Sequence, residues 1–339
     1  MSRIAVIGAG AWGTALAMVL GRNQNGHAHQ VHLWAFEKEV EESIRATREN
    51  QLFLPGCRLP DTVTASNDLA RALSGAEMVV SVMPSHHCRR LFTSMAPYLR
   101  SEMIFVSATK GLENDSLLRM SEVISEVVGE NCGFQPRLGA LTGPTFAKEV
   151  AHGDPTAITI ASPDADLCNQ VMREFSDPGF RVYMNDDIAG AEYGGALKNV
   201  IAIAAGVCDG LGLGHNTIAA LITRGLTEIT RLATACGSRP QTLAGLAGMG
   251  DLVLTCTGGL SRNRTVGVEL GRGRKLLEII TGMHGMVAEG ILTTNAAMGL
   301  ARKMQVEMPI TEQMYAVLHD GKPPQQAIRE LMARPGKVE

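Results

Sequence analysis

The sequence predicts an α/β protein in two parts, an N-terminal doubly wound parallel sheet followed by a mostly α-helical C-terminal region. Three observations lead there. Residues 4–20, IAVIGAGAWGTALAMVL, run without an ionisable side chain but are broken by Gly8, Gly10 and Gly13. Short apolar runs then alternate with helix-period segments as far as about residue 185. From residue 189 onward, helix patterns follow one another with few strand signals.

The opening run resembles a membrane anchor or a secretion signal in hydropathy alone. A membrane helix needs about 20 predominantly apolar residues, and a signal peptide needs an unbroken apolar segment before its cleavage site. Each glycine costs about 1 kcal/mol relative to alanine inside a helix, so a strand, a turn and a helix fit better. Residues 4–7 suit a strand buried on both faces. Gly8-Ala9-Gly10-Ala11-Trp12-Gly13 then reads G-x-G-x-x-G, and residues 14–20 continue as a small-residue helix. In such a turn the first glycine permits the bend, the second lets a pyrophosphate approach the backbone, and the third lets helix and strand pack closely. The free N–H groups at the helix start bind the phosphates. The expectation is a dinucleotide site.

Residues 31–34 read as a second strand and 37–48 as a charged helix. Further strands are expected at 78–82, 103–107, 138–141 and 156–161, with a helix at 116–128. Strands alternating with helices imply a parallel sheet whose ligand crevice lies at the carboxyl ends of the strands. Three small or polar loops leave strands at that edge: SVMPS at 81–85, SATKG at 107–111 and TGPTF at 142–146. Helices are then expected at 191–208, 217–236, 264–270, 289–304, 311–318 and 325–332. The change of pattern near 185–192 divides the chain into a dinucleotide domain, 1–188, and a helical domain, 189–339.

Composition narrows the function classes. With 339 residues the chain exceeds the size at which one core tends to divide. Hydrophobic residues at 45% and charged residues at 19% are those of a packed globular protein. A net charge of −3, spread along the chain, gives no nucleic-acid footprint and no polybasic membrane patch. Seven scattered cysteines without a C-x-x-C pair read as reduced thiols of a cytoplasmic protein, and no metal site is expected.

Four features could carry chemistry. Lys198 lies in YGGALKNVIAI, and its helical neighbours Gly194, Gly195, Ile201 and Ala202 offer no charge partner. Desolvation there would lower its pKa and suit it to proton transfer; alternatively its tip snorkels to water. Lys110 follows a strand and could meet an anionic substrate, or be a solvated loop lysine. Asp251, between glycines and an apolar run, is either a site carboxylate or a helix N-cap. Ser261-Arg262-Asn263-Arg264 sits after Gly258-Gly259 at a helix start. It offers a guanidinium fork, an amide and free N–H groups to a phosphate, or is a solvated basic turn.

Taken together, GAGAWGTALA, MPSH, ATKGLE, LTGPTFAKE, GGALKNVIAIAAG, AGMGDLVLTC, SRNR, VAEG and VEMPI resemble, in this order, the bacterial-type NAD(P)-dependent sn-glycerol-3-phosphate dehydrogenases. The resemblance implies a Rossmann domain, a helical domain, an active site between them, and a homodimer. It makes Lys198 the general acid/base that protonates the C2 oxygen of dihydroxyacetone phosphate, with Lys110 and Asp251 orienting and polarising that centre. Thr255, Ser261, Arg262 and Asn263 would hold the substrate or its phosphate, and Gly143 and Thr145 match further substrate contacts. The cofactor set comprises Gly8, Gly10, Ala11, Trp12, Gly13, Phe36, Lys110, Ala147, Arg262, Val287 and Glu289.

The implied reaction is the reversible reduction of dihydroxyacetone phosphate to sn-glycerol 3-phosphate, which supplies glycerophospholipid synthesis. A related hydroxy-acid dehydrogenase and a noncatalytic dinucleotide-binding module are the alternatives. Cofactor choice stays open, because an acidic residue after the second strand favours NAD and a basic one NADP. Here Ala35-Phe36 precedes Glu37-Lys38, which argue in opposite directions.

Overall fold

The computed structural model describes residues 2–22, 29–283 and 288–336. Ten strands are found among them: β1 (Arg3–Ile7), β2 (Gln30–Trp34), β3 (Glu49–Asn50), β4 (Leu54–Arg58), β5 (Val63–Ser66), β6 (Met78–Ser81), β7 (Ile104–Ser107), β8 (Arg137–Thr142), β9 (Thr156–Ala161) and β10 (Phe180–Asn185). Eight form one sheet in the order β10-β9-β8-β7-β6-β1-β2-β5, and β3 pairs with β4 as a separate hairpin. Strands β6 and β7 are buried throughout, which is why they read as unbroken apolar runs. The order reverses between β1 and β6, so the ligand crevice of such a sheet opens there.

The expected all-parallel sheet holds for β5, β2, β1, β6, β7 and β8. It fails at β8–β9, which pair antiparallel with Leu141 opposite Ile160, while β10 runs parallel to β9. The link between β8 and β9 contains only the six-residue helix Ala147–His152, which packs on the first helix of the chain rather than crossing the sheet. The chain therefore re-enters from the end it left. Neither β5 nor β10 gave a strand signal. Val63–Ser66 is short and half polar, and Phe180–Asn185 is an edge strand with Arg181, Tyr183 and Met184 exposed.

The helices of the first part are α1 (Ala11–Gly21), α2 (Lys38–Thr47), α3 (Leu69–Leu73), α4 (Cys88–Met95), α5 (Met120–Cys132), α6 (Ala147–His152) and α7 (Ala165–Glu174). The second part holds α8 (Ile188–Gly210), α9 (His215–Ala235), α10 (Pro240–Leu243), α11 (Asp251–Thr257), α12 (Arg262–Gly271), α13 (Leu276–Thr281), α14 (Glu289–Met304), α15 (Pro309–His319) and α16 (Pro324–Met332). Helix α8 is buried from Gly190 to Cys208. It is apolar all round because α9, α11, α12 and α14 surround it. The only ionisable groups inside that buried stretch are Glu192, Tyr193, Lys198 and Cys208, so each demands an account. No helix among the described residues is long and apolar enough to cross a membrane.

Candidate active site

The glycine turn is built by close backbone contacts. Gly8 has φ +119°, and a Cβ there would stand 2.2 Å from the Val82 carbonyl oxygen. A Cβ on Gly13 would stand 1.8 Å from the Gly8 carbonyl oxygen, so α1 can lie against β1 only without one. Gly10 differs, with nothing within 4 Å of where its Cβ would be. It precedes Ala11, where α1 begins three residues earlier than the sequence pattern indicated. The first N–H groups of a helix lack partners within it, and those of α1 follow Gly10 directly, with no side chain capping them. The buried Trp12 indole nitrogen has no hydrogen-bond partner among the described residues. An open approach over Gly10, free N–H groups and an unpartnered indole donor fit the pyrophosphate of a dinucleotide. At the end of β2, Phe36 is 71% exposed and packs edge-on against Trp34. Glu37 precedes α2 without capping it, and Lys38 leans toward Glu42 at 3.7 Å.

Beyond the end of β7, one carboxylate holds two ammonium groups. Asp251, 1% exposed, lies 2.8 Å through Oδ2 from Lys110 Nζ and 2.9 Å through Oδ1 from Lys198 Nζ. Lys198 also donates to Thr255 Oγ1 at 2.7 Å, and Thr255 Oγ1 donates to the Asp251 carbonyl at 2.6 Å. Lys110 donates further to the Gly143 carbonyl at 2.9 Å and to Thr145 Oγ1 at 3.3 Å. Burial lowers the Lys110 pKa from 10.5 to about 8; Asp251 opposes that fall and the nearby Lys198 charge adds to it. Three expectations change here. Asp251 is the first residue of α11, not its cap, since Gly250 holds that position. Lys198 does not snorkel, being 6% exposed. It does have a charge partner, supplied by α11 rather than by its own helix.

The Ser-Arg-Asn-Arg turn is more structural than the sequence suggested. The Ser261 hydroxyl caps α12 by accepting from the Arg264 N–H at 3.2 Å. Asn263 Nδ2 donates to Asn199 Oδ1 at 3.0 Å, while its Oδ1 accepts from the Gly290 N–H at 2.9 Å. Asn263 thus ties α8, one residue beyond Lys198, to the start of α14. Arg262 is the exposed member, and Glu289 acts on it through its charge, without a direct bond between the two. Glu289 instead accepts from Ser85, the N–H at 3.0 Å and the hydroxyl at 2.6 Å, which joins the β6 loop to α14.

Two family models match the chain: the N-terminus of NAD-dependent glycerol-3-phosphate dehydrogenase over residues 3–168, and its C-terminus over residues 187–329. The chain belongs to the NAD-dependent glycerol-3-phosphate dehydrogenase family. A protein of Koribacter versatilis named glycerol-3-phosphate dehydrogenase, NAD(P)+, is 69% identical over all of this chain and 99% of its own length. One of the same name from Acidobacterium capsulatum is 56% identical over both full lengths. The crystal structure of glycerol-3-phosphate dehydrogenase from Coxiella burnetii superposes with a TM-score of 0.92 at 40% identity, covering 98% of this chain and 99% of that one.

Within this dehydrogenase architecture, Lys110, Lys198, Asp251, Thr255, Gly143 and Thr145 form one connected cluster, and Gly8, Gly10, Ala11, Trp12 and Gly13 form the turn between β1 and α1. Ala147 begins α6 just beyond Thr145. Val287 lies outside the described residues. No role was expected for Ser85, Asn199, Asn50 or the buried pair Arg119–Glu192, each of which bonds to at least one residue distant in sequence. A single polar residue inside an apolar helix, as with Glu192 and Asn199, was the one usable signal. The thiols of Cys88 and Cys256 are pushed up to about 12 and that of Cys208 to about 11, chiefly by burial, so these cysteines are held as inert thiols.

Proposed function

We propose that the Lys110–Asp251–Lys198 cluster is the catalytic centre of a reversible reduction of dihydroxyacetone phosphate to sn-glycerol 3-phosphate with NAD(P)H. The chain is an NAD(P)-dependent oxidoreductase of the glycerol-3-phosphate dehydrogenase family. When bound, the nicotinamide supplies the hydride. The observation that carries the reading is the sharing of one buried carboxylate by two ammonium groups at the crevice edge.

Reduction of a ketone places negative charge on its oxygen, and a positioned acid must deliver a proton there. Lys198 is that acid, its ammonium held in place by Asp251 and Thr255. Lys110, fixed by Gly143, Thr145 and Asp251, polarises the same oxygen and favours the developing charge in a site from which water is largely excluded. The free N–H groups at the start of α12 and the Arg262 guanidinium receive the phosphate. Asn263 orients that turn, and Phe36, Ala147, Arg262 and Glu289 complete the cofactor contacts with the glycine turn.

The division into residues 1–188 and 189–339 is supported by the last sheet strand ending at Asn185 and by α8 beginning at Ile188, within one residue of that boundary. A homodimer in the cytoplasm, feeding glycerophospholipid synthesis, is the setting that accords with this chemistry. Initial rates with dihydroxyacetone phosphate and each reduced cofactor test the reading. Oxidation of NADH or NADPH must accelerate when the ketone is added; no acceleration with either cofactor would refute it.

A further inference from the structure

Asn50 belongs to none of the residue sets above, yet its side chain is completely buried. It ends β3 and reaches across to the glycine turn. Its Nδ2 donates to the Ala9 carbonyl at 2.7 Å and to Thr14 Oγ1 at 2.8 Å, while Oδ1 accepts from the Phe53 N–H at 3.0 Å. Both amide protons are therefore spent on the turn, and the acceptor is spent on the hairpin that carries the residue.

Its support is firm. The Ser43 hydroxyl of α2 donates to the Glu49 carbonyl at 2.7 Å and accepts from the Gln51 N–H at 3.3 Å. Arg48 donates to the Val63 carbonyl at 2.9 Å and to the Pro60 carbonyl, and its own carbonyl accepts from the Leu59 N–H at 2.7 Å. Helix α2 and the segment that leads into β5 thus brace the hairpin from which Asn50 projects.

Ala9 stands between the two glycines with the greatest backbone freedom in the turn. Glycine loses more conformational freedom on ordering than any other residue, and a site that must be ordered by its ligand binds more weakly than one already ordered. We infer that Asn50 is a positioning residue for the dinucleotide: by holding the Ala9 carbonyl and the Thr14 hydroxyl, it sets the turn in its pyrophosphate-binding form before the cofactor arrives. This rests on the reading of the glycine turn as the pyrophosphate site.

The test is titration calorimetry of the full chain with NADH, NADPH, ADP-ribose and adenosine. Asn50→Ala weakens binding of the two cofactors and of ADP-ribose about tenfold, which is about 1.4 kcal/mol, and leaves the affinity for adenosine unchanged. Turnover at saturating cofactor stays within about twofold, and KM for dihydroxyacetone phosphate does not move. Asn50→Asp keeps the Phe53 bond but turns an oxygen toward the Ala9 carbonyl, so it loses at least as much. Where Asn50→Ala does not fold, Thr14→Val removes one of the two acceptors and weakens pyrophosphate binding severalfold. Wild-type affinity in folded variants, with or without a lower melting temperature, overturns the inference. Failure of the wild type to bind ADP-ribose and both cofactors overturns the underlying site instead.

Discussion

Glu192 Oε2 lies 2.7 Å from an Arg119 guanidinium nitrogen, with side chains 4% and 13% exposed. The same carboxylate accepts from the Ser121 N–H at 2.8 Å and from its hydroxyl at 2.5 Å. Arg119 precedes α5 and ends the loop that begins at Lys110, while Glu192 lies on the helix that carries Lys198. One buried pair therefore fixes the two lysine-bearing segments relative to each other.

Leaving a buried charge with no partner at all costs about 3–5 kcal/mol, but without Glu192 the guanidinium of Arg119 still has Glu122 at 2.8 Å, so the loss here falls below that range. Glu192→Gln is expected to lower the unfolding free energy by about 1–3 kcal/mol, the cost of leaving the buried Ser121 donors and the guanidinium less well satisfied, and to reduce turnover, because Lys110 and Lys198 no longer meet at Asp251 as closely. Urea titrations of the variant and the parent check this. A difference below about 1 kcal/mol would mean that the pair contributes little to holding the two segments.

Lys198→Ala removes the proton donor but leaves Asp251 paired with Lys110 at 2.8 Å, so the fold and the glycine turn survive. Loss of a positioned acid typically costs a factor of about 10²–10⁴ in rate. The expected result is a kcat lower by that factor with cofactor affinity unchanged, read from steady-state rates and a binding titration on the same preparation. Unchanged turnover would remove Lys198 from the mechanism.

Lys110 ties activity and stability to pH with opposite signs. Its pKa is about 8 in the folded protein against 10.5 ordinarily, so the unfolded chain binds more protons between those values. Stability therefore gains with rising pH across that window as the burial of an ammonium is relieved. Over the same range the ammonium is lost and the apparent KM for the dianionic substrate rises. Subtracting the stability profile of Lys110→Met from that of the parent between pH 7 and 10.5 isolates the effect; a flat difference curve contradicts it.

What could be read in advance depended on how far apart the cooperating residues stand. Gly8, Gly10 and Gly13 were legible because their spacing is itself the contact, and Lys198 because an ammonium inside an apolar helix is conspicuous. Its partner Asp251 stood out as a lone carboxylate and was joined to that centre only by the family resemblance, since the pairing itself arises from the packing of α11 on α8. Asn50 sits in a polar stretch, REN, that reads as a solvated turn until the hairpin folds over Ala9. The reversal at β9 escaped for another reason: the direction of a strand is set by its connection, and the pattern of Thr156–Ala161 is the same either way.

The depth of the substrate turn is set by a close helix crossing. A Cβ on Gly267 of α12 would stand 2.0 Å from the Ile203 carbonyl oxygen and 2.8 Å from the Val207 nitrogen of α8. Alanine favours a helix over glycine by about 1 kcal/mol, while overpacking costs about 1–3 kcal/mol and sometimes more. Here the obstructing atoms are backbone, which no rotamer change can move aside, so overpacking wins. Gly267→Ala is expected to lower stability by about 1–2 kcal/mol. It should also push α12 outward, stretching the 3.0 Å bond between Asn263 and Asn199 and raising KM for dihydroxyacetone phosphate more than it changes KM for the cofactor. Thermal unfolding together with the two KM values decides the matter: a variant as stable as its parent, with both constants unchanged, would show that the crossing does not hold the turn.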